Sequence, residues 1–182
     1  FVRTVLKPAG VKVCIDVGAN VGNYSDLLAR VLEQPDIYSI EPSEGSYEVL
    51  RLKGYSCFKY ALSDFDGSAV LYSGASKSEV ASLDSKSGLL KESVDVRRLD
   101  TFIKEQQLEE IDFIKIDVEG FEKEVLSGMS VRPRFLQFEF NINHLRRGET
   151  LCAICKLLPG YRFYRLLPNG WVSVNPNKFI DN

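Results

Sequence analysis

Apolar residues along the chain follow two spacings that alternate from one segment to the next. Short apolar runs bounded by turn residues are typical of buried strands, whereas apolar residues every three or four positions are typical of amphipathic helices. The short runs predict strands at residues 12–17, 37–41, 56–60, 67–74, 93–100, 113–116 and 134–140. The helical spacing predicts helices at residues 23–33, 44–53 and 148–158, with shorter ones that begin near Leu99 and at Glu119. Strands that alternate with helices in this way predict an α/β domain.

Three segments fall outside this alternation. Residues 1–11 are predicted to form a lead-in and a loop before the first strand, because Pro8 and Gly10 interrupt the apolar pattern. Residues 74–93 are rich in Ser, Gly and Lys and predict a mobile loop, which as a long loop is either a functional lid or a surface insertion. Residues 161–167 and 171–174 predict a terminal antiparallel hairpin.

Composition narrows the class of protein. A length of 182 residues, with 45% hydrophobic and 26% charged residues, predicts one domain over residues 1–182 with a full core. The formal net charge of −2 argues against nucleic acid as a partner, and no apolar run reaches the length of a membrane span. No signal peptide is recognised, although a sequence that begins at Phe1 leaves open a preceding segment with targeting information.

The cysteines carry no metal-site signal. Cys152 and Cys155 have CxxC spacing inside an apolar helical stretch, whereas a structural zinc ion needs four ligands. Core packing is therefore favoured for both thiols, and no metal ligand is predicted from them. Free cysteines predict a reducing, cytoplasmic compartment.

The segment VCIDVGANVGNYS, residues 13–25, carries the first chemical signal. An apolar strand is followed at once by glycines and then by helical spacing, with Asp16 before Gly18 and Gly22. Glycines allow a tight turn and a close ligand approach, and the N–H groups that open the helix point toward that ligand. The segment predicts a nucleotide-type pocket, the alternative being an ordinary strand-to-helix turn. The dinucleotide pattern G-x-G-x-x-G is missing, which disfavours an NAD-dependent oxidoreductase.

The second signal is Glu41, which ends the second predicted strand and precedes Pro42. An acid about twenty residues beyond a glycine turn is where nucleotide-binding α/β domains accept hydrogen bonds from ribose hydroxyls. The alternative is an acid that caps the following helix.

The third signal is the segment IDFIKIDVEGFEKEVLSGM, residues 111–129. Asp117 ends its buried strand, so we expect it to face the same crevice as Asp16. Glu119 is predicted to open the next helix, where it either caps that helix or joins the crevice as a third carboxylate. His144, the one histidine of the chain, is a candidate base, with a surface or structural role as the alternative.

Four segments together resemble the FkbM-type family of class I S-adenosylmethionine-dependent methyltransferases. They are VCIDVGANVGNYS, SIEPSEGSYEVL, ALSDFDGSAVLY and IDFIKIDVEGFEKEVLSGM, in the order of that family. The resemblance covers residues 13 to about 140. It implies a Rossmann-like, mostly parallel seven-stranded sheet with helices on both faces and a C-terminal antiparallel hairpin.

The resemblance also implies roles for individual residues. S-adenosyl-L-methionine would lie in the crevice, with its methionine and ribose along Asp16, Gly18, Ala19, Asn20 and Gly22. Glu41 and Pro42 would hold the ribose, and Ala61 and Leu62 would flank the adenine, although a polar turn at 61–64 is equally consistent with the sequence. Asp117 and Glu119 would lie near the methyl donor and acceptor.

The implied reaction is O-methylation of a hydroxyl on a sugar, glycan or secondary metabolite. A hydroxyl must lose its proton as it attacks, and Asp117, Glu119 and His144 are the candidate bases. Clustered acids would alternatively bind Mg²⁺, which is possible but not predicted. A second hypothesis is a non-catalytic α/β domain that binds S-adenosylmethionine as a scaffold or sensor. The partner would be a small molecule or a carbohydrate, and the sequence leaves the oligomeric state open.

Overall fold

The computed structural model describes residues 1–73 and 90–176. A π-helical turn, Val2–Leu6, precedes the first strand. The strands are β1 (Val13–Val17), β2 (Asp36–Ile40), β3 (Ser56–Phe58), β4 (Ala61–Ser63), β5 (Gly67–Ser73), β6 (Leu90–Arg98), β7 (Phe113–Ile116), β8 (Phe135–Phe138), β9 (Phe163–Leu167) and β10 (Gly170–Val174). The helices are α1 (Asn23–Val31), α2 (Glu44–Arg51), α3 (Leu99–Glu105), α4 (Glu122–Ser127), α5 (Ile142–Arg146) and α6 (Leu151–Lys156).

The central sheet has five parallel strands in the order β3-β2-β1-β7-β8. The α/β class and the C-terminal hairpin β9–β10 are confirmed, and the arrangement is consistent with a Rossmann-like fold. The expectation of seven strands in one sheet is wrong. Within the described ranges, the hairpin forms a separate two-stranded sheet, and β4, β6 and β5 form a three-stranded one. Strand patterning identifies strands, but it does not specify which strand pairs with which.

The core lies on both faces of the central sheet, because parallel strands bury both faces beneath helices. On one face, Ile15 packs in a cluster with residues of α3, α4 and α6. On the other face, Cys14 packs with Leu28 and Val31 of α1. The turn at Val2–Leu6, which the sequence predicts as a loop, buries Val2 and Leu6 in this second cluster. The burial of these apolar side chains therefore stabilises a helical turn, although Pro8 and Gly10 favour a loop directly after it.

Several element boundaries differ from the sequence predictions. Strand β6 begins at Leu90 rather than at 93, because antiparallel pairing with β5 extends over residues 90–96. The rest of the predicted mobile loop, residues 74–89, lies outside the described residues. Helix α5 was not predicted, since its five residues are too few to show a helical period.

The boundary that matters most for the site is the start of α4. The helix begins at Glu122, and Glu119 precedes it with a φ of +57°. A left-handed residue cannot sit inside a right-handed helix, so the prediction that Glu119 opens the helix is wrong.

Among residues 1–73 and 90–176, no helix has the combined length and apolar character that crossing a membrane requires.

Candidate active site at the carboxyl ends of the central strands

The glycine turn lies where β1, β2 and β7 end. The N–H groups of Gly18 and Ala19 both donate to the carbonyl of Ile40, at 2.9 and 3.0 Å. Gly18 has a φ of +74°, and a Cβ there would lie 1.9 Å from the carbonyl oxygen of Asp117. Glycine is therefore required here both for the backbone conformation and for the close approach of β7. Gly22 is also left-handed, at φ +81°, and directly precedes α1.

The requirement at Gly18 can be measured against a matched glycine. Gly10 has a similar φ of +69°, but a Cβ there meets nothing within 4 Å. Both Gly18→Ala and Gly10→Ala place a side chain on a left-handed backbone, which costs free energy. Only Gly18→Ala adds a steric clash with the carbonyl oxygen of Asp117. We expect Gly18→Ala to lower the free energy of unfolding by about 1–3 kcal/mol more than Gly10→Ala. Urea denaturation of the two variants checks this, and equal losses would contradict the close approach.

Glu41 lies against this turn, as the sequence predicts for a ribose-binding acid. Its Oε2 accepts from the backbone N–H of Asn20 at 2.8 Å, and its Oε1 accepts from that of Ser43 at 2.9 Å. The second contact is at the N-cap of α2, so the capping interpretation also has support. Glu41 is 7% exposed, and burial raises the pKa of its carboxyl. Pro42, which follows it, is half-buried.

Asp16 does not project freely into a crevice but belongs to a buried polar row across the sheet. The parallel register places it beside Ser39 of β2 and Lys115 of β7, and Lys115 beside Gln137 of β8. Ser25 of α1 donates to Asp16 Oδ2 at 2.7 Å and contacts the Ser39 hydroxyl at 2.9 Å. Burial raises the pKa of Asp16, and the neighbouring Lys115 opposes that rise.

Lys115 connects two of the predicted carboxylates. Its Nζ lies 3.4 Å from Asp16 Oδ1 and 3.1 Å from Asp117 Oδ2. The ammonium also lies 5.1 Å from the ring centroid of Tyr24, whose hydroxyl donates to Gln137 at 2.8 Å. Lys115 was not among the predicted site residues, although a lysine inside the buried run FIKI was a signal, since a buried charge needs a partner.

Asp117 and Glu119 lie on the loop between β7 and α4. Asp117 follows the strand directly, and its side chain is 36% exposed to solvent. Burial raises the pKa of Glu119, and the nearby carboxylates of Glu139 and Asp117 raise it further. Asn143 of α5 approaches Glu119 Oε2 at 3.5 Å. The structure thus places these two predicted acids on one short loop beside the glycine turn.

His144 is fully buried, away from open space. Its Nδ1 accepts from the backbone N–H of Asn141 at 3.2 Å, its Nε2 lies 2.6 Å from Glu122 Oε2, and its ring stacks on Phe140 at 4.8 Å. Burial lowers the pKa of His144, but the hydrogen bond and charge of Glu122, together with the charge of Glu149, raise it, and the net direction is upward. One nitrogen accepts a backbone hydrogen bond and the other lies against the Glu122 carboxylate, so its role as a base stays a prediction.

Ala61 and Leu62 form strand β4 and are buried, 7% and 3% exposed. The strand pairs with β6, so the segment is not a polar turn. It follows β3, whose Phe58 carbonyl accepts from the Glu41 N–H at 3.0 Å. The segment therefore begins close to the acid that the sequence assigns to ribose, and its contact with adenine stays a prediction.

Three carboxylates, from Asp117, Glu122 and Glu139, have oxygens within 4.8 Å of one another. Each already has a protein partner. Lys115 lies 3.1 Å from Asp117, two backbone N–H groups donate to Glu122, and the Asn141 side chain donates to Glu139 at 2.6 Å. A cation would have to compete with these groups, so this cluster gives no support for Mg²⁺ beyond its acidity.

A parallel α/β sheet with a glycine turn and acids at the carboxyl ends of neighbouring strands is the arrangement of a nucleotide-type binding domain. The chain belongs to the family described as "Methyltransferase FkbM domain", whose match covers residues 16–163. The resemblance found in the sequence is thereby confirmed.

Three curated relatives have methyltransferase names. "2-O-methyltransferase NoeI" of Sinorhizobium fredii (strain NBRC 101917 / NGR234) is 26% identical over 184 residues, which cover 87% of this chain and 75% of that protein. "Methyltransferase sdnD" of Sordaria araneosa is 28% identical, covering 63% of this chain and 59% of that protein. "Methyltransferase 1" of Beauveria bassiana (strain ARSEF 2860) is 26% identical, covering 63% and 57%. No solved structure matches the chain significantly.

Proposed function

We propose that the protein is an S-adenosylmethionine-dependent O-methyltransferase that acts on a hydroxyl of a small molecule or carbohydrate. The observation that carries the proposal is the contact of Glu41 with Asn20 N–H, because it brings a buried carboxylate to the glycine turn. The family match supports methyl transfer, and the name of the relative "2-O-methyltransferase NoeI" supports oxygen as the acceptor atom.

The residues at the turn fit an adenosyl ligand. Each oxygen of Glu41 accepts one backbone N–H, and a carboxylate has lone pairs for further donors such as ribose hydroxyls. Gly18 to Gly22 would lie along the methionine and ribose, and Ala61 and Leu62 would flank the adenine. When bound, S-adenosylmethionine supplies an activated methyl group and a neutral leaving group.

The task left to the protein is alignment and removal of one proton. Holding the acceptor oxygen in line with the methyl group accounts for about 7–11 kcal/mol of barrier reduction in well-oriented reactions. The hydroxyl proton would pass to Asp117 or Glu119 as the oxygen attacks. Glu119 suits this role, because its raised pKa makes its carboxylate a stronger base than an ordinary glutamate.

The proposal is tested in two steps. Isothermal titration calorimetry with S-adenosylmethionine tests the pocket, and mass spectrometry of a panel of hydroxyl compounds tests methyl transfer. Tight binding without any methylated product would favour the non-catalytic binding domain. Absence of binding by the wild-type chain would contradict both functions.

The raised pKa of Glu41 gives the binding a predicted pH dependence. An ionised carboxylate accepts hydrogen bonds from ribose hydroxyls more strongly than a neutral carboxyl does, so affinity falls as pH decreases through a pKa that lies above the ordinary 4.5. In the window between 4.5 and the raised pKa, the folded state binds more protons than the unfolded state. The contribution of Glu41 to stability therefore increases as pH falls there, and the lost affinity does not reflect unfolding.

We expect calorimetry between about pH 8 and pH 5 to show weaker S-adenosylmethionine binding on the acid side. The control is Glu41→Gln, which retains the titration of the ligand itself and should bind weakly with a flatter profile. Parallel profiles for the two proteins would rule out Glu41 as the titrating group.

A further inference from the structure

Glu122 makes two backbone contacts on either side of Glu119. Its Oε1 accepts from the N–H of Val118 and its Oε2 from that of Gly120, both at 3.0 Å. Glu122 itself is 0% exposed. One buried carboxylate therefore accepts from the N–H groups of the residues on either side of Glu119 and restrains the backbone from Val118 to Gly120.

Glu119 needs such restraint, because its backbone is left-handed at φ +57°. A left-handed conformation costs a residue with a side chain roughly 1–2 kcal/mol. It persists only where the surroundings determine it, and such residues are frequent at active sites. The two hydrogen bonds that Glu122 accepts restrain the backbone on both sides of this residue.

Helix α5 holds Glu122 from the other side. His144 Nε2 lies 2.6 Å from Glu122 Oε2, and both side chains are 0% exposed. His144 is fixed in turn by the Asn141 N–H on Nδ1 and by the Phe140 ring. The same helix also meets the loop directly, because a Cβ on Gly120 would lie 3.0 Å from Asn143 Cβ.

We propose that Glu122 and His144 are positioning residues that hold Glu119 in its left-handed conformation and thereby aim its carboxylate at the acceptor. This inference rests on the proposed function, in which Glu119 is a candidate base. It assigns the one histidine, which lies on the five-residue helix α5, a role behind the loop rather than at the reacting atoms. Because Glu122 and His144 act through Glu119, their loss should affect turnover more than cofactor binding.

Glu122→Gln is the first variant, because an amide has a single acceptor oxygen and satisfies only one of the two N–H groups. We expect kcat to fall about 30- to 100-fold, with the KM for S-adenosylmethionine changed less than about threefold. Hydrogen exchange at the Val118 and Gly120 amides should become faster. His144→Gln, which keeps a hydrogen-bond donor for Glu122, should show a smaller loss of kcat. It replaces Glu122→Gln as the test variant if Glu122→Gln does not fold.

The matched control is Val125→Ala, which truncates another fully buried side chain of α4 that does not contact the loop amides. It should lower Tm while leaving kcat within about twofold and the two amides protected. When Glu119→Gln is already present, adding Glu122→Gln should lower kcat by less than about threefold more. The positioning role would be overturned if the kcat losses of Glu119→Gln and Glu122→Gln were additive. It would also be overturned if Val125→Ala lowered kcat as much as Glu122→Gln does.

The amide-exchange measurement keeps the two proposals distinguishable. If the wild-type chain transfers no methyl group, the proposed function fails, yet faster exchange in Glu122→Gln would still show that Glu122 holds the loop. If transfer is normal and exchange at Val118 and Gly120 is unchanged in Glu122→Gln, the positioning role fails alone.

Discussion

Lys115→Met is expected to lower the free energy of unfolding by about 3–5 kcal/mol, the cost of removing one partner from a buried ion pair. Lys115 is 8% exposed and Asp16 is 0% exposed, so water cannot replace the lost ammonium. Ser25 remains as a donor to one oxygen of Asp16, but the other oxygen loses its cationic neighbour. Chemical denaturation in urea measures the loss.

Two further variants test whether the loss of stability comes from the Asp16 carboxylate that is left without its cationic partner. Asp16→Asn/Lys115→Met removes both charges and should recover part of the stability, so the double variant is more stable than additivity predicts. Lys7→Met removes an exposed lysine and should change the free energy of unfolding by less than about 0.5 kcal/mol. Strict additivity in the first case would mean that Lys115 and Asp16 are not coupled.

Glu41→Ala is expected to weaken S-adenosylmethionine binding by about 2–3 kcal/mol, or about 30- to 150-fold in Kd. The physical reason is the loss of hydrogen bonds from ribose hydroxyls to a buried, charged acceptor. Hydrogen bonds to charged groups are stronger than those between neutral groups. Isothermal titration calorimetry at neutral pH gives the value directly.

The control for Glu41→Ala must separate lost binding from a loosened turn, since Glu41 also accepts from Asn20 and Ser43. Glu48→Ala on α2 removes a carboxylate whose side chain is 45% exposed and paired with Arg51 at the surface. It should leave Kd unchanged. Glu41→Gln should stay folded, as judged by Tm, and still bind weakly. Unchanged binding in both Glu41 variants would remove the main support for the adenosyl pocket.

Features encoded by neighbouring residues were predictable from the sequence. The strand, glycine turn and helix at residues 13–31 could be identified because apolar spacing and glycine positions act locally. Glu41 was identified in the same way, as an acid at a strand end, and in the structure it accepts from the Asn20 N–H of the turn. The start of α4 was predicted wrongly at Glu119, because the left-handed backbone of that residue has no signal in its neighbours along the chain.

The sequence by itself determined the alternation of strands and helices, the glycine turn, and the family to which the chain belongs. Only the tertiary structure decided that the hairpin stays apart from the central sheet, that Lys115 connects Asp16 to Asp117, and that His144 lies against Glu122. The physical reason is that such contacts depend on which strands are neighbours. Asp16 and Lys115 are 99 positions apart, and only the parallel register of β1 and β7 brings them side by side.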